Sequence, residues 1–531
     1  MRSRSLFAAA AVAACAIVGG TFAVAPAAAA KTLRMANQGD PLSLDPHSLN
    51  ETLQLTMLSN VYEGLVGYGK DLKIVPLLAT DWKQTAPTVW RFNLRKGVVF
   101  HDGTPFTADD VIFSYERAKA DGSDMKSYVG SVKEVRKVND HAVDFITEAP
   151  NPILPNVFVR WLMMSKKWCI DNRAERPVDK RKGVENVASF KANGTGPFRV
   201  RSRDPGNRTV LVRNGSYWDK LETNIDEVVF TPIANPSTRV AALISGEIDM
   251  MEPVPVQDAA RINAAPGLVV MQGPELRTIF LGMDQKRDEL LFSSVKGKNP
   301  FKDKRVRQAF YQAIDVNAIQ KAVMRGASAP TGLMIAPGIK GFPTELNKRL
   351  PYDPDGAKKL LTDAGYPQGF EVGMNCPNDR YVNDEEICKA ASAMLAKVGI
   401  KVNLMAESKA TYFPKILSRN TSFYMLGWTP GSYDSHNPLF ALMATPGAGG
   451  QGQFNLGSYS SAKVDELTKA IATETDVTKR TAMIREAMQV HQDDIGHIPL
   501  HQQALAWAMK KSVDTIQLAD NYMFLKWTVL K

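Results

Sequence analysis

An α/β protein of more than one domain is predicted, and three features of the sequence predict it. The chain has 531 residues, more than one hydrophobic core organises, so two to four domains are expected. From Asn299 onward helical patterns alternate with short apolar strands, the texture of helices packed on a sheet. Between Trp90 and Ser114 a strand, a turn and a helix follow one another with their start and stop signals in place.

The N-terminal stretch reads as an export signal. Arg2 and Arg4 form a basic start, Leu6 to Val24 is almost wholly apolar, and Ala28-Ala29-Ala30 offers a small-residue cleavage site before Lys31. A lipoprotein reading stays open, because Val12-Ala13-Ala14-Cys15 fits a lipobox; the apolar run beyond Cys15 favours cleavage after Ala30. No later segment approaches membrane-spanning length.

Thr32 to Ala36 is an apolar strand, followed by the loop Asn37-Gln38-Gly39-Asp40-Pro41. Trp90, Phe92 and Leu94 alternate with Arg91, Asn93 and Arg95, the period of a half-buried strand that Lys96-Gly97 ends. In the turn His101 to Pro105, Asp102 is expected to bond backbone amides rather than to form an acid–base pair with His101. Thr107 and Asp110 make a capping box before Val111, Ile112 and Tyr115. Val129 to Ile146 alternates as strands of a small sheet. Asp303 caps a helix with Val306, Ala309, Phe310, Ala313 and Ile314 on one face, and Asp353-Pro354 opens another that Gly365 closes. Asp384 to Val398 is a helix, Ile400 to Leu404 a strand, Thr475 to Gln492 the last helix, and Ala504 to Lys531 supplies closing strands.

Phe100, Asp102, Gly103, Pro105, Phe106, Ala108, Asp110, Val111, Phe113 and Ser114 stand at the spacing F-x-D-G-x-P-F-x-A-x-D-V-x-F-S. This phrase resembles the signature of the extracytoplasmic solute-binding proteins of ABC importers, dipeptide and oligopeptide-binding class. Leu44-Asp45-Pro46, Tyr62-Glu63-Gly64-Leu65, Pro76 to Trp82, Gly194 to Phe198, Asn214-x-x-Tyr217-Trp218 and Arg239 to Asp249 resemble further phrases of that family. The resemblance implies a two-lobed periplasmic binding protein fold, class II-like, with an extra inserted domain and three domains in all. Domain I would comprise residues 31–73, 194–278 and 503–531, inserted domain II residues 74–193, and domain III residues 279–502. It also implies a monomer in the periplasm that captures a small solute by hinge closure and delivers it to an ABC permease with its ATPases.

Composition narrows the function. With 44% apolar and 23% charged residues the chain is an ordinary globular one. Its net charge of +10 falls to +8 on loss of Arg2 and Arg4, and the densest basic run, Lys166 to Lys182, is interrupted by Asp171, Glu175 and Asp179. A solvated face is therefore expected there, and no nucleic-acid partner. The motifs G-x-S-x-G, H-E-x-x-H and Walker A are absent, which favours binding over catalysis and implies no cofactor. His491, His497 and His501 lie close in sequence, but Pro499 denies them the helical spacing of metal ligands. Of Cys169, Cys376 and Cys388 at least one must stay unpaired; Cys376 and Cys388 either bridge, or Cys388 is helical core.

Candidate ligand residues cluster in two loops. Gly427 to Pro438 gathers aromatics, an acid and an amide in a Pro- and Gly-broken segment suited to gripping a small polar solute, with Trp428, Tyr433, Asp434 and Asn437 as candidates. It resembles the family's cleft loop, in which peptide binders place an aspartate three residues after the tryptophan to meet the ligand's ammonium group. Gly431 stands there instead, and Asp434 is the candidate substitute. Arg380, with Tyr381, follows the strand Phe370 to Met374 and resembles the arginine offered to a ligand carboxylate, a task its planar fork suits. The competing reading pairs Arg380 with Asp379 or Asp384. Asn50 is a candidate from the opposite lobe. A small peptide or peptide-like solute is expected, with opines, glycosides, nickel chelates and glutathione as alternatives on the same scaffold; a secreted hydrolase, or a sensor or chaperone without transport, are the other classes.

Overall fold

Two long antiparallel strands, Leu268–Met283 and Ile498–Lys510, run side by side through the molecule and carry its architecture. The structure, a computed structural model, describes residues 30–531; the expected signal segment and Cys15 lie outside the described residues. Pairing of the two strands is regular from Leu268 opposite Lys510 to Pro274 opposite Ala504, is interrupted, and resumes at Thr278 opposite Gln502. On one side of the interruption Leu268 and Ala508 pack with Ala36, Val240, Leu243 and Met251. On the other, Ile279, Leu281, Ile498 and Leu500 pack with Phe310, Val372 and Phe423. One pair of strands thus serves two cores.

Flanking strands extend this sheet both ways. Met250–Glu252, Thr32–Asn37, Glu227–Pro232, Arg208–Arg213 and Phe198–Asp204 follow on the first side, and Phe423–Trp428, Phe370–Pro377 and Ile400–Glu407 on the second. Phe370–Pro377 and Ile400–Glu407 are parallel, and the helix Asp384–Ala396 makes the crossover that parallel pairing requires. A separate antiparallel sheet joins Ala79–Ala86, Val89–Leu94, Ala142–Thr147 and Val132–Asn139 in that order. The expected caps form: Thr107 and Asp110 close a capping box on Ala108–Lys119, Asp303 caps Lys304–Ala313, and Asp353 caps Pro354–Asp363. One expectation is corrected, since the C-terminal strand begins at Ile498 rather than near Ala504. Pro499 reads as a strand breaker, but it sits at a second irregularity, between Ile279 and Phe280, where its missing amide hydrogen interrupts no regular ladder.

The phrases that carry the family resemblance meet in space. Glu63 accepts hydrogen bonds from Tyr217 Oη at 2.7 Å, Trp218 Nε1 at 2.8 Å and Thr195 Oγ1 at 2.9 Å. Gly194 lies against the Val61 carbonyl so closely that a Cβ there would stand 2.0 Å from the oxygen. Asp102 accepts the Thr104 amide at 2.9 Å and the Asn193 side chain at 2.9 Å, the turn role expected of it. Asp45 receives two bonds from Arg117, at 2.7 and 2.6 Å, and the amides of His47 and Val178. Burial opposes the charge on Asp45, but Arg117 outweighs it and holds the carboxyl below its usual range. These residues build scaffold.

Cys376 and Cys388 are joined in a disulfide with their Cα atoms 6.6 Å apart, and Cys169 is a buried thiol. The bridge ties the end of Phe370–Pro377 to Asp384–Ala396 and so brackets Arg380 and Tyr381.

Both side chains of the Asp45–Arg117 pair are fully buried, so removing one strands the other's charge. Arg117→Met should lower stability by about 3–5 kcal/mol, read as a fall in the urea midpoint at unchanged slope; a midpoint equal to wild type would show that the pair contributes nothing.

Candidate functional site

The interruption in the long ladder creates the site. Pro274 has no amide hydrogen to offer, and the amide of Leu276 bonds the Ala519 carbonyl at 2.8 Å instead of the facing strand. Glu275, Leu276 and Arg277 are thereby released from pairing, the kind of local disruption that re-aims side chains at sites. Arg277 turns to a space of about 620 Å³, part of it open to solvent, which Asn50, Tyr128, Arg160, Arg380 and Trp428 also line. A second space of about 530 Å³ shares Thr52 and Arg380 with the first and is bounded by Asn37, Glu252, Gln503 and Trp507.

The acids in the wall of the first cavity are already engaged. Glu51 caps the helix Thr52–Leu58 by accepting the amides of Leu53 and Gln54, and it also meets Arg380 Nε at 2.5 Å and Lys409 Nζ at 3.1 Å. Burial works against its charge, but Arg380, Lys409 and the two amides prevail and hold the carboxyl down at about 2. Glu275, behind the wall, accepts Arg277 Nε at 2.8 Å and Gln503 Nε2 at 2.5 Å, while Arg277 Nη2 donates to Thr52 Oγ1 at 3.0 Å. Asp520 receives Arg160, the Tyr433 hydroxyl and, at 3.1 Å, the Tyr522 amide. Arg160 also lies on the Tyr522 ring, its Cζ 3.5 Å from the centroid, a stabilising cation–π contact. Each guanidinium has five donors, and those of Arg380 are far from used: its Nη groups make no hydrogen bond among the described residues. What the wall leaves unclaimed is donors beside positive charge, the complement of a carboxylate.

Of the residues expected from sequence, Arg380, Tyr381, Trp428 and Asn50 line the cavity. The side chain of Arg380 pairs with Glu51 and not with Asp379 or Asp384; Asp384 instead accepts the backbone amides of Arg380 and Tyr381, both at 2.9 Å, and fixes their turn. Tyr381 lies beneath Arg380, with 4.8 Å from Cζ to its ring centroid. Asn50 accepts the Tyr128 hydroxyl at 3.3 Å. The other three stand behind the wall. Asn437 accepts Trp428 Nε1 at 2.8 Å and so orients the indole. Tyr433 stacks on Tyr68 with centroids 4.3 Å apart and sends its hydroxyl to Asp520. Asp434 receives two bonds from Arg480, at 2.9 and 2.7 Å, and is buried with it; it does not substitute for an acid at Gly431.

At Gly431 itself the space for an aspartate is taken. A Cβ there would stand 2.9 Å from Tyr128 Oη and 3.2 Å from Arg160 Cγ. Where peptide binders of the resembling class put an aspartate, this protein puts the Tyr128 hydroxyl and the aliphatic stem of Arg160.

Glu51, Tyr128, Arg160, Arg277, Asp520 and Tyr522 were not anticipated. Arg160 and Arg277 did carry a signal, each a lone arginine in an apolar run, and such arginines are seldom buried unpaired. Asp520 carried none. His491 Nε2 and His497 Nδ1 lie 2.9 Å apart as a buried pair, and no group of three or more His, Cys, Asp or Glu able to hold a metal occurs among the described residues.

A cavity walled by charged side chains where two cores share strands defines a two-lobed solute-binding protein. The chain belongs to the bacterial extracellular solute-binding proteins, family 5, whose middle-region sequence model matches residues 73–450. Among curated relatives it is 24% identical over 507 residues to the glutathione-binding protein GsiB of Salmonella choleraesuis (93% of this chain, 94% of the relative), and 26% identical over 525 residues to that of Pectobacterium atrosepticum (96% and 95%). Among solved structures it superposes on the Helicobacter pylori periplasmic binding protein DppA in complex with peptide STSA, with a TM-score of 0.82, 24% identity and coverage of 94% and 98%. It superposes on AgaA of A. tumefaciens R10, in complex with agropinic acid, with a TM-score of 0.84, 23% identity and coverage of 94% and 99%. No helix among the described residues is long and apolar enough to cross a membrane.

Restoring the acid should fail sterically. Gly431→Asp must displace Tyr128 and Arg160, an overpacking worth about 1–3 kcal/mol; a lowered thermal midpoint that Tyr128→Phe in the same chain, which removes the nearest atom, partly restores is the expected result, and an unchanged midpoint would show that the wall yields freely.

Proposed function

We propose that this protein is the exported solute receptor of an ABC importer and that its solute is a small peptide-like molecule bearing a carboxylate. The observation that carries this reading is Arg380, whose Nη groups are unclaimed in a cavity where the neighbouring acids are all engaged. Names of relatives lend support, since GsiB is a glutathione-binding protein and the superposed structures hold a peptide and an acid. The receptor acts as a monomer in the periplasm after cleavage behind Ala30, performs no reaction of its own, and hands its solute to the permease subunits and their ATPases. The domains are residues 31–73 with 194–278 and 503–531, residues 74–193, and residues 279–502.

Capture proceeds by hinge closure. Several contacts join groups from the two sides of the cleft: Lys409 with Glu51 at 3.1 Å, Arg380 with Glu51 at 2.5 Å, and the Tyr433 ring on Tyr68. Contacts that exist only when the sides meet favour the closed state, and a solute that bonds both sides favours it further.

Isothermal titration calorimetry with glutathione, glutamyl dipeptides and their C-terminal amides tests the reading. Acids should bind and amides should not. Arg380→Ala should weaken the acids by about 1.5–3 kcal/mol. Unchanged affinity in that variant would remove Arg380 from the site, and binding confined to uncharged glycosides would overturn the carboxylate.

A further inference from the structure

The second cavity has a feature that the carboxylate reading leaves unused. Glu252 ends the strand Met250–Glu252, in register with Asn37 on Thr32–Asn37, and is 4% exposed. Its Oε1 accepts Asn37 Nδ2 at 3.2 Å, whereas Oε2, also buried, has no hydrogen-bond partner among the described residues. A buried carboxyl oxygen left unpaired is costly, of the order of 1–3 kcal/mol or more, and calls for an explanation. Here the residue lines the second space, which is partly open to solvent. Glu51, Glu275 and Asp520 are saturated by arginine, lysine, amide and hydroxyl donors. Glu252 is the acid along the two cavities that retains a free oxygen.

Its position relative to Arg380 gives that oxygen a use. Arg380 and Thr52 belong to the walls of both cavities, so a solute whose carboxylate sits at Arg380 can extend into the second. In the first cavity the place beside Gly431 is filled by the Tyr128 hydroxyl and the aliphatic stem of Arg160, which leave no acid there to receive an ammonium group. We infer that the second cavity is the subsite for a hydrogen-bond-donating group of the solute, a primary ammonium above all, and that Glu252 receives it. The solute class is then bipolar, with its acid at Arg380 and its amine on the other side of that residue. The charged groups facing Glu252 are Glu275, on Leu268–Met283, and Arg380, in the loop after Phe370–Pro377, with Asn37 as its neutral partner. Burial, and then Glu275, push the Glu252 carboxyl up to about 7 against Asn37 and Arg380. An arriving ammonium supplies the countercharge that keeps it ionised.

This inference rests on the carboxylate reading, and the test separates the two. Wild type and the near-isosteric Glu252→Gln are titrated at neutral pH with an equimolar pool of Xaa-Glu dipeptides and with the matching pool of acyl-Glu compounds, in which hydrogen replaces the ammonium group. Native mass spectrometry reads the bound fractions. The expected result is wild type binding the amine pool at least tenfold more tightly than the acyl pool, and Glu252→Gln losing that preference while binding the acyl pool as wild type does. Equal loss for both pools would assign Glu252 a structural role and overturn the subsite. An amine preference that survives in Glu252→Gln, or no preference in wild type, would also overturn it and leave the carboxylate reading standing. Failure of both pools to bind either protein would bring down both readings together.

Discussion

The antiparallel ladder between Leu268–Met283 and Ile498–Lys510 is asked to do two incompatible things, to belong to one continuous sheet and to serve two separate cores. A fully bonded ladder resists bending along its length, because each step is held by paired amides and carbonyls. Pro274 resolves the conflict chemically. It lacks the amide hydrogen, the next available amide, that of Leu276, is taken by Ala519, and pairing lapses until Thr278. The lapse lies between the cores, which is where relative motion of two lobes requires the fewest native bonds to deform. The same lapse frees Glu275 and Arg277, so the place where the sheet can bend is also the place where charged side chains reach a ligand.

Ala519 binds more than a stray amide. By fixing the tail at the break, it sets Asp520 where it can receive Arg160 and Tyr433. A buried arginine without such a partner would carry a desolvation cost of several kcal/mol. The ion pair therefore depends on the break, and the stacking of Arg160 on Tyr522 depends on the ion pair. Glu51 plays the corresponding part on the other wall, where one carboxylate serves as helix cap and as counterion to both Arg380 and Lys409. Neither arrangement is local in sequence.

That non-locality decides what the sequence could and could not reveal. Helices marked by Thr107, Asp303 and Asp353 were legible because a cap and its helix are neighbours along the chain. The family was legible because its phrases are contiguous, but the reason for them was not, since Glu63, Thr195, Tyr217 and Trp218 come from three distant segments. Arg380 and Trp428 could be placed in a cleft by the resemblance of their loops; Arg380 follows the strand Phe370–Pro377 and Trp428 ends the strand Phe423–Trp428. Asp434 misled because its partner Arg480 lies 46 residues on, in the helix Val477–Asp493, and no spacing rule connects them. Asp520 depends on an amide of another strand, and nothing around it in sequence announces that.

Gly431 shows how one small residue can redirect a binding site. In the resembling peptide binders an aspartate at this point answers an ammonium group; here the missing side chain admits Tyr128 and Arg160 to within contact of the backbone. The change is not a simple loss of an acid, because the space an acid would need is filled by the Tyr128 hydroxyl and the Arg160 stem, whose charge is answered by Asp520. A solute with an amine must then carry it elsewhere, and a solute without one meets no unsatisfied acid in this cavity. Either way, Arg160, held by Asp520 and Tyr522, gives this wall its shape, while Arg380 supplies the attraction that any acidic solute would share. Shape and attraction are thereby assigned to different arginines, each fixed by its own carboxylate.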